Sequence, residues 1–187
     1  GELGTLQDTE TAAETERPAG GVRVAYTFGP TRISSGIEYR ADDAERPDAT
    51  RTGRTTWLFR NNFKYQMSDD WRLVGKLDHS LSESSQGQFY DGEFTEGVVG
   101  FGYRPVLNNR LNTLAKYTYF YNVPTTDQVT PTGTAAEFIQ KSHIASLDAS
   151  YELTPWWTLG GKYAYRLGSV SLDRENPEFF DNRAQLA

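Results

Sequence analysis

One stretch of the sequence decides the fold: Trp57-Leu58-Phe59-Arg60-Asn61-Asn62-Phe63-Lys64-Tyr65-Gln66-Met67. Its large apolar side chains fall on odd positions, interrupted by Asn61, and its cationic and amide side chains fall on even positions, interrupted by Leu58. Side chains of an extended strand alternate between two faces, so this period of two predicts a strand with one apolar and one polar face. A long strand of this kind is typical of a protein wall between lipid and water.

The same alternation recurs along the chain and predicts eight strands in all. They lie near Gly21–Phe28, Arg32–Arg40, Thr55–Met67, Trp71–Leu81, Phe94–Arg104, Leu111–Val123, Phe138–Leu153 and Trp157–Leu167. Neighbouring strands separated by so few residues favour antiparallel, up-and-down pairing.

The connections between these strands alternate between short and long. The short ones, rich in Pro, Gly, Asn and Asp, are Gly29–Thr31, Ser68–Asp70, Pro105–Asn109 and Thr154–Trp156. The long polar ones are Ala41–Arg54, Ser82–Glu93, Pro124–Ala136 and Gly168–Asn182. Short turns at one end and long loops at the other are typical of outer-membrane barrels.

The composition agrees with a barrel wall better than with a soluble core. The 187 residues carry a net charge of −6, and no run approaches the roughly 18 apolar residues that a transmembrane helix needs. Mean hydropathy is −0.64, but an average over a two-faced strand hides its lipid face. The chain holds eleven Tyr, ten Phe and four Trp and no Cys, which excludes disulfides and thiolate metal sites.

Aromatic residues on the apolar face gather at both ends of the predicted strands. One predicted girdle, beside the short turns, comprises Phe28, Tyr65, Trp71, Tyr103, Tyr151 and Trp157. The other, at the opposite ends, comprises Tyr39, Trp57, Phe59, Tyr121 and Tyr165. Amphipathic rings prefer the two membrane–water interfaces, so these residues are predicted to face lipid.

The pattern from Gly21 onward resembles the transmembrane β-barrels of Gram-negative outer membranes. Segments such as Trp71-Arg72-Leu73-Val74-Gly75-Lys76-Leu77 and Trp156–Tyr163 are similar to the turn-to-strand starts of that class. The resemblance implies an all-β, antiparallel, up-and-down transmembrane β-barrel of at least eight strands. It also implies location in the bacterial outer membrane, contact with membrane lipid and lipopolysaccharide, and no nucleic-acid partner.

The domain organisation expected from the sequence is simple. Residues 1–20 are expected to be an external loop, Asp8–Gly20, preceded by a strand remnant, Gly1–Gln7. Residues 21–187 are expected to form the barrel domain, as four hairpins and the start of a further strand at Arg183–Ala187. We therefore expect the chain to be part of a larger barrel, completed by strands from flanking sequence or from another chain. More loosely, the pattern resembles barrel domains of very large bacterial surface proteins.

The polar face is predicted to line the lumen. The lumen-lining candidates are Arg23, Glu38, Arg40, Arg60, Lys64, Arg72, Lys76, Asp78, Glu96, Lys116, Asp148, Glu152, Lys162 and Arg166, with Arg104 as a further inward candidate. Cations outnumber anions in this set, so the lumen is predicted to be polar and net positive. In a narrow barrel these charges would pair into a plug, and in a wider one they would favour the passage of anions.

Catalysis receives little support from the sequence. His79 shares the register of Leu77 and Leu81, and His143 shares the register of Ala145, so both are predicted to face lipid. The Ser residues near His79 are the one hint of a nucleophile at the external rim. There is no His-x-x-x-His motif, and we predict no catalytic residue, metal or cofactor.

The sequence therefore favours a non-enzymatic outer-membrane channel or membrane anchor. Two alternatives remain open: a barrel enzyme that acts on lipid or peptide at the external rim, and a soluble ligand-binding β-barrel. The soluble alternative requires more than twenty large rings to fill one small lumen, which is too many for an eight-stranded barrel.

Overall fold

A computed structural model of the chain describes residues 2–8, 13–45, 51–87, 90–107, 109–124, 138–171 and 179–186. The described strands are β1 (Glu2–Asp8), β2 (Ala13–Phe28), β3 (Thr31–Glu45), β4 (Arg51–Gln66), β5 (Trp71–Ser84), β6 (Gly92–Tyr103), β7 (Leu111–Val123), β8 (Ile139–Thr154), β9 (Trp157–Ser171) and β10 (Phe180–Leu186). They form one sheet in which each strand pairs, antiparallel, with its neighbours in sequence. The predicted all-β, up-and-down architecture is confirmed.

The sheet is not closed into a barrel. Nine antiparallel pairings connect β1 through β10, and within the described residues none joins β1 to β10. The expectation that Gly21–Phe28 and Trp157–Leu167 do not pair with each other is confirmed, because they lie in β2 and β9. Their outer neighbours are β1 and β10. These strands contain most of Gly1–Gln7, which was predicted to be a strand remnant, and most of Arg183–Ala187, which was predicted to begin a further strand.

The strands extend further toward the long connections than the sequence predicted. β2 begins at Ala13, so the end of the predicted loop Asp8–Gly20 belongs to a strand. β3 and β4 likewise take up most of Ala41–Arg54, where Arg51 forms an ion pair with Asp43 across the ladder at 3.3 Å. These ends are polar on both faces, so they carry no period-two signal although their backbones still pair. The predicted loop Pro124–Ala136 lies, except for Pro124, outside the described residues.

The four connections predicted to be short lie at one end of the sheet, although the one between β6 and β7 is no shorter than the one between β5 and β6 at the other end. The turn between β2 and β3 consists of Gly29 and Pro30 alone, and Gly29 has a φ of +51°. A positive φ favours glycine, which lacks the Cβ that would clash in this conformation. The turn between β8 and β9 is equally short, with a register shift between Glu152 and Thr154.

Candidate functional site

The residues predicted to line the lumen share one face of the sheet. Directly paired residues in a sheet project to the same side, and the register runs from Arg23 through Gly36, Arg60 and Asp78 to Glu96. We call this side the polar face. It carries all the predicted lumen-lining positions: Arg23, Glu38, Arg40, Arg60, Lys64, Arg72, Lys76, Asp78, Glu96, Lys116, Asp148, Glu152, Lys162 and Arg166.

The aromatic residues predicted to form two girdles share the opposite, apolar face. Neighbouring strands bring several of them into contact: the rings of Tyr39 and Trp57 are 4.7 Å apart, and those of Trp71 and Tyr103 are 4.6 Å apart. Tyr39 and Trp57 lie toward the long connections, and Trp71 and Tyr103 lie beside short turns. The register thus keeps the two groups at opposite ends of one face.

Large side chains on the apolar face are more exposed than they would be in a soluble protein. Leu77 and Leu147 on the apolar face are 49% and 50% exposed, whereas Ser142 on the polar face is 1% exposed. Among the side chains that the structure describes, the only buried hydrophobic ones are Val123 and Ile139. The described residues therefore build no hydrophobic core on either face.

Ion pairs connect neighbouring strands across the polar face. Lys76 Nζ lies 2.6 Å from Glu96 Oε2 and 3.0 Å from Asp78 Oδ2, so one ammonium bridges two carboxylates. Arg60 pairs with Glu38 at 3.5 Å. Lys162 pairs with Asp148 at 3.5 Å. Since the last two pairs involve exposed cations, each contributes little to stability by itself.

Other cations of the polar face are held by neutral acceptors. Arg166 donates from Nε and Nη2 to Ser142 Oγ, at 3.0 and 2.8 Å. Arg72 Nε donates to Gln66 Oε1 at 2.8 Å. Arg23 Nε donates to Ser34 Oγ at 3.1 Å. These guanidinium groups keep their charge and further donors for other ligands.

Two adjoining cavities lie over this face. The larger, about 770 Å³, is lined by Arg23, Glu38, Arg40, Arg60, Lys76 and Asp78 together with neighbouring small residues and Asn62. The smaller, about 430 Å³, is lined by Arg23, Ala25, Arg32, Ser34, Asn62 and Lys64. They share Arg23 and Asn62, so the space over β2–β5 continues toward the short-turn end.

The polar face is less uniformly polar than the sequence predicted. Phe94 and Phe120 lie on it, and their rings meet edge to face with centroids 5.5 Å apart. Phe94 lies two residues before Glu96, so the period-two alternation could have placed it on the polar face. Phe120 stands between Tyr119 and Tyr121, where three successive aromatics hide the alternation.

Sequence reasoning also missed several cations, among them Arg32 and Lys141. Arg32 lies on the polar face directly opposite Lys64, although it was not assigned to the lumen. Lys141 lies on the apolar face toward the long connections, with Nζ 4.1 Å from the ring centroid of Phe179 and 5.7 Å from that of Tyr121. Lys141 lies two residues before His143, so the period-two alternation could have placed it on the apolar face.

Both histidines lie on the apolar face, at the predicted register. His79 Nδ1 is 2.9 Å from Thr95 Oγ1, and His143 Nδ1 is 2.6 Å from Tyr117 Oη. Within the described part of the chain, neither forms an ion pair with a carboxylate. The acid–base–nucleophile arrangement that a hydrolase needs is therefore not assembled around either ring among these residues.

The described residues contain no group of three or more His, Cys, Asp or Glu side chains placed to hold a metal ion. Nor do they contain an α-helix that is long and apolar enough to cross a membrane. Comparison with protein-family models, curated proteins and solved structures gave no match to this chain.

Proposed function

We propose that the chain forms part of the wall of a bacterial outer-membrane β-barrel that acts as a channel or membrane anchor and is not an enzyme. The observation that carries the proposal is the exposure of the large side chains on the apolar face. Large apolar side chains such as Leu77, Leu147 and Tyr163 are 44% to 50% exposed, while charged and hydroxyl side chains occupy the opposite face. In water this arrangement would leave an extensive apolar surface uncovered.

The dimensions of the apolar face support the proposal. Ten residue steps separate Trp57 from Met67, a distance of about 33 Å at about 3.3 Å per residue. At the tilt of about 40° that is usual for membrane barrels, this length corresponds to about 25 Å along the membrane normal, which is the height of their apolar band.

The open sheet requires further strands. Among the residues that the structure describes, β1 and β10 each pair with one neighbour, so each has an edge without a partner strand there. Every unsatisfied backbone group in the bilayer interior costs several kcal/mol, so a lipid-embedded sheet must be closed. The proposal therefore includes partner strands for both edges, from another part of the same polypeptide or from another chain.

The composition of the polar face favours a water-filled lumen. Its charges are exposed or half-buried beside the 770 Å³ cavity, and its cations outnumber its anions. The resemblance to Gram-negative barrels favours the outer membrane as the location, with lipid and lipopolysaccharide as the surrounding partners.

Tryptophan fluorescence in lipid vesicles tests the membrane assignment. Proteins that retain Trp57 alone should be quenched by lipids brominated near the headgroup end of their acyl chains. Proteins that retain Trp156 alone should be quenched less, because this turn residue is 89% exposed and lies beyond the strands. A chain that stays in the aqueous fraction when vesicles are floated, with Trp57 unquenched, would contradict the proposal. Stepwise conductance across a planar bilayer would then distinguish a channel from an anchor.

A further inference from the structure

We propose that Arg23, Arg32 and Lys64 form a binding site for a small oxyanion bearing phosphate or carboxylate groups. This proposal extends the proposed function and rests on it, because it requires that the polar face line an aqueous space. The site lies at the short-turn end of that face, in the 430 Å³ cavity that Ser34 and Asn62 also line.

The register gathers three cations with no intervening acid. Arg32 and Lys64 are directly paired on β3 and β4, and Arg23 on β2 hydrogen-bonds to Ser34, which is paired with Asn62. Within the described residues, no carboxylate lies within ion-pair distance of any of the three cations. Two like charges directly opposite each other in a ladder repel, which destabilises the sheet. An anion bound between Arg32 and Lys64 would reduce this repulsion.

The neighbouring part of the same face lacks this property. Arg60 is paired with Glu38, and Lys76 is held between Asp78 and Glu96. On β2 to β5, positive charge without an acidic partner is thus concentrated at the short-turn end, where the cavity lined by these three cations adjoins the larger one through Arg23.

The chemistry of the lining suits an oxyanion. Guanidinium groups bind phosphate and carboxylate oxygens through paired N–H donors, and a lysine ammonium adds a compact charge. The Ser34 hydroxyl and the Asn62 amide supply uncharged donors beside them. All three cationic residues are exposed, so a ligand reaches them without a rearrangement of the sheet.

Titration calorimetry on the full chain in zwitterionic detergent micelles, at fixed ionic strength, tests the site with orthophosphate and, separately, with succinate. We expect saturable binding of orthophosphate. The double variant Arg32→Gln, Lys64→Gln should weaken it at least about tenfold, because charge-assisted hydrogen bonds are lost. The matched control is Lys162→Gln, which removes a cation paired with Asp148 elsewhere on the same face and should change the affinity by less than about twofold.

Each outcome of the titrations either supports or overturns the proposed site. Equal binding of succinate, lost in the same variant, identifies a general oxyanion site, and selective binding of orthophosphate identifies a phosphate site. Absence of saturable binding of both anions, or equal weakening by Lys162→Gln, would overturn the proposal. If the double variant loses the circular dichroism signal of its strands, the two single variants test the site instead. Lys64→Arg, which keeps the charge, should retain binding. A chain that inserts into vesicles but binds neither anion overturns the site alone, whereas one that binds phosphate through these residues but stays in water overturns the membrane assignment alone.

Discussion

Lys76 and Glu96 form the shortest ion pair among the described residues, with 2.6 Å between Nζ and Oε2. Asp78 lies directly opposite Glu96 in the β5–β6 register and shares the same ammonium group. Because like charges directly opposite each other are destabilising, Lys76 is what allows the two carboxylates to face each other. The half-buried ammonium therefore holds β5 and β6 together on the polar face.

The first prediction concerns this pair. Lys76→Met should destabilise the sheet by about 1–3 kcal/mol, since it leaves two partly buried carboxylates facing each other without a counter-charge. Arg60→Met is the matched control and should cost less than about 1 kcal/mol, because Arg60 and Glu38 are both more than half exposed. Denaturant titrations in lipid vesicles measure both changes, and equal costs would show that Lys76 has no special role.

The second prediction assigns the two faces. Spin labels at Trp57, Tyr65, Tyr117, Leu147 and Tyr163 should be relaxed by lipid-dissolved oxygen, and labels at Arg60, Lys64, Lys116, Asp148 and Lys162 by a water-soluble paramagnetic reagent. The register places each set on one side of the sheet. Relaxation of the second set by oxygen from the lipid would reverse the assignment.

The register of the faces was predictable from sequence because alternation is forced by the extended backbone. Once Trp57 and Arg60 are assigned to opposite sides, every paired residue follows. The strand ends were not predictable, since segments such as Arg51–Arg54 are polar on both faces and their pairing depends on the partner backbone. Phe120 was missed because aromatics on both sides of it erase the period. The open edges were expected from the partial strands at Gly1–Gln7 and Arg183–Ala187 and not from the alternation, because periodicity describes each strand and not whether the first strand meets the last.

The third prediction compares Tyr163, which we propose faces lipid, with its polar neighbour Lys162. Tyr163→Arg should cost about 2–4 kcal/mol, because it puts a cation against the bilayer interior. Lys162→Gln should cost less than about 1 kcal/mol, because its ion pair with Asp148 is exposed. Refolding titrations into vesicles compare these adjacent residues of β9. Equal costs would contradict the face assignment.

The fourth prediction concerns the histidines. His79→Ala and His143→Ala should leave lipid deacylation and peptide cleavage unchanged, because each ring lies on the apolar face and contacts a neutral hydroxyl. Phe59→Ala serves as a control, because it removes a ring stacked on His79 without touching any hydrogen-bonding group. An activity above background that disappears in His79→Ala but survives in Phe59→Ala would support the enzyme alternative.

The fifth prediction compares two glycines that sequence alone does not distinguish. Gly100 is buried on the polar face, and a Cβ there would lie 3.0 Å from Val74 Cγ2 and 3.3 Å from the Ala115 carbonyl oxygen. Gly161 on β9 is exposed, and a Cβ there would meet nothing within 4 Å.

Gly100→Val should therefore cost about 1–3 kcal/mol through overpacking between β5 and β7. Gly161→Val should be neutral or stabilising, since a β-branched residue fits a strand and, in the proposed barrel, adds apolar surface on the face toward lipid. Both substitutions remove the same backbone freedom from the unfolded chain, so the difference between them isolates packing on the polar face at Gly100. The unfolding free energies of both variants, measured in vesicles, test this prediction. A Gly100→Val protein as stable as Gly161→Val would show that β5, β6 and β7 are less closely packed on the polar face than the structure has them.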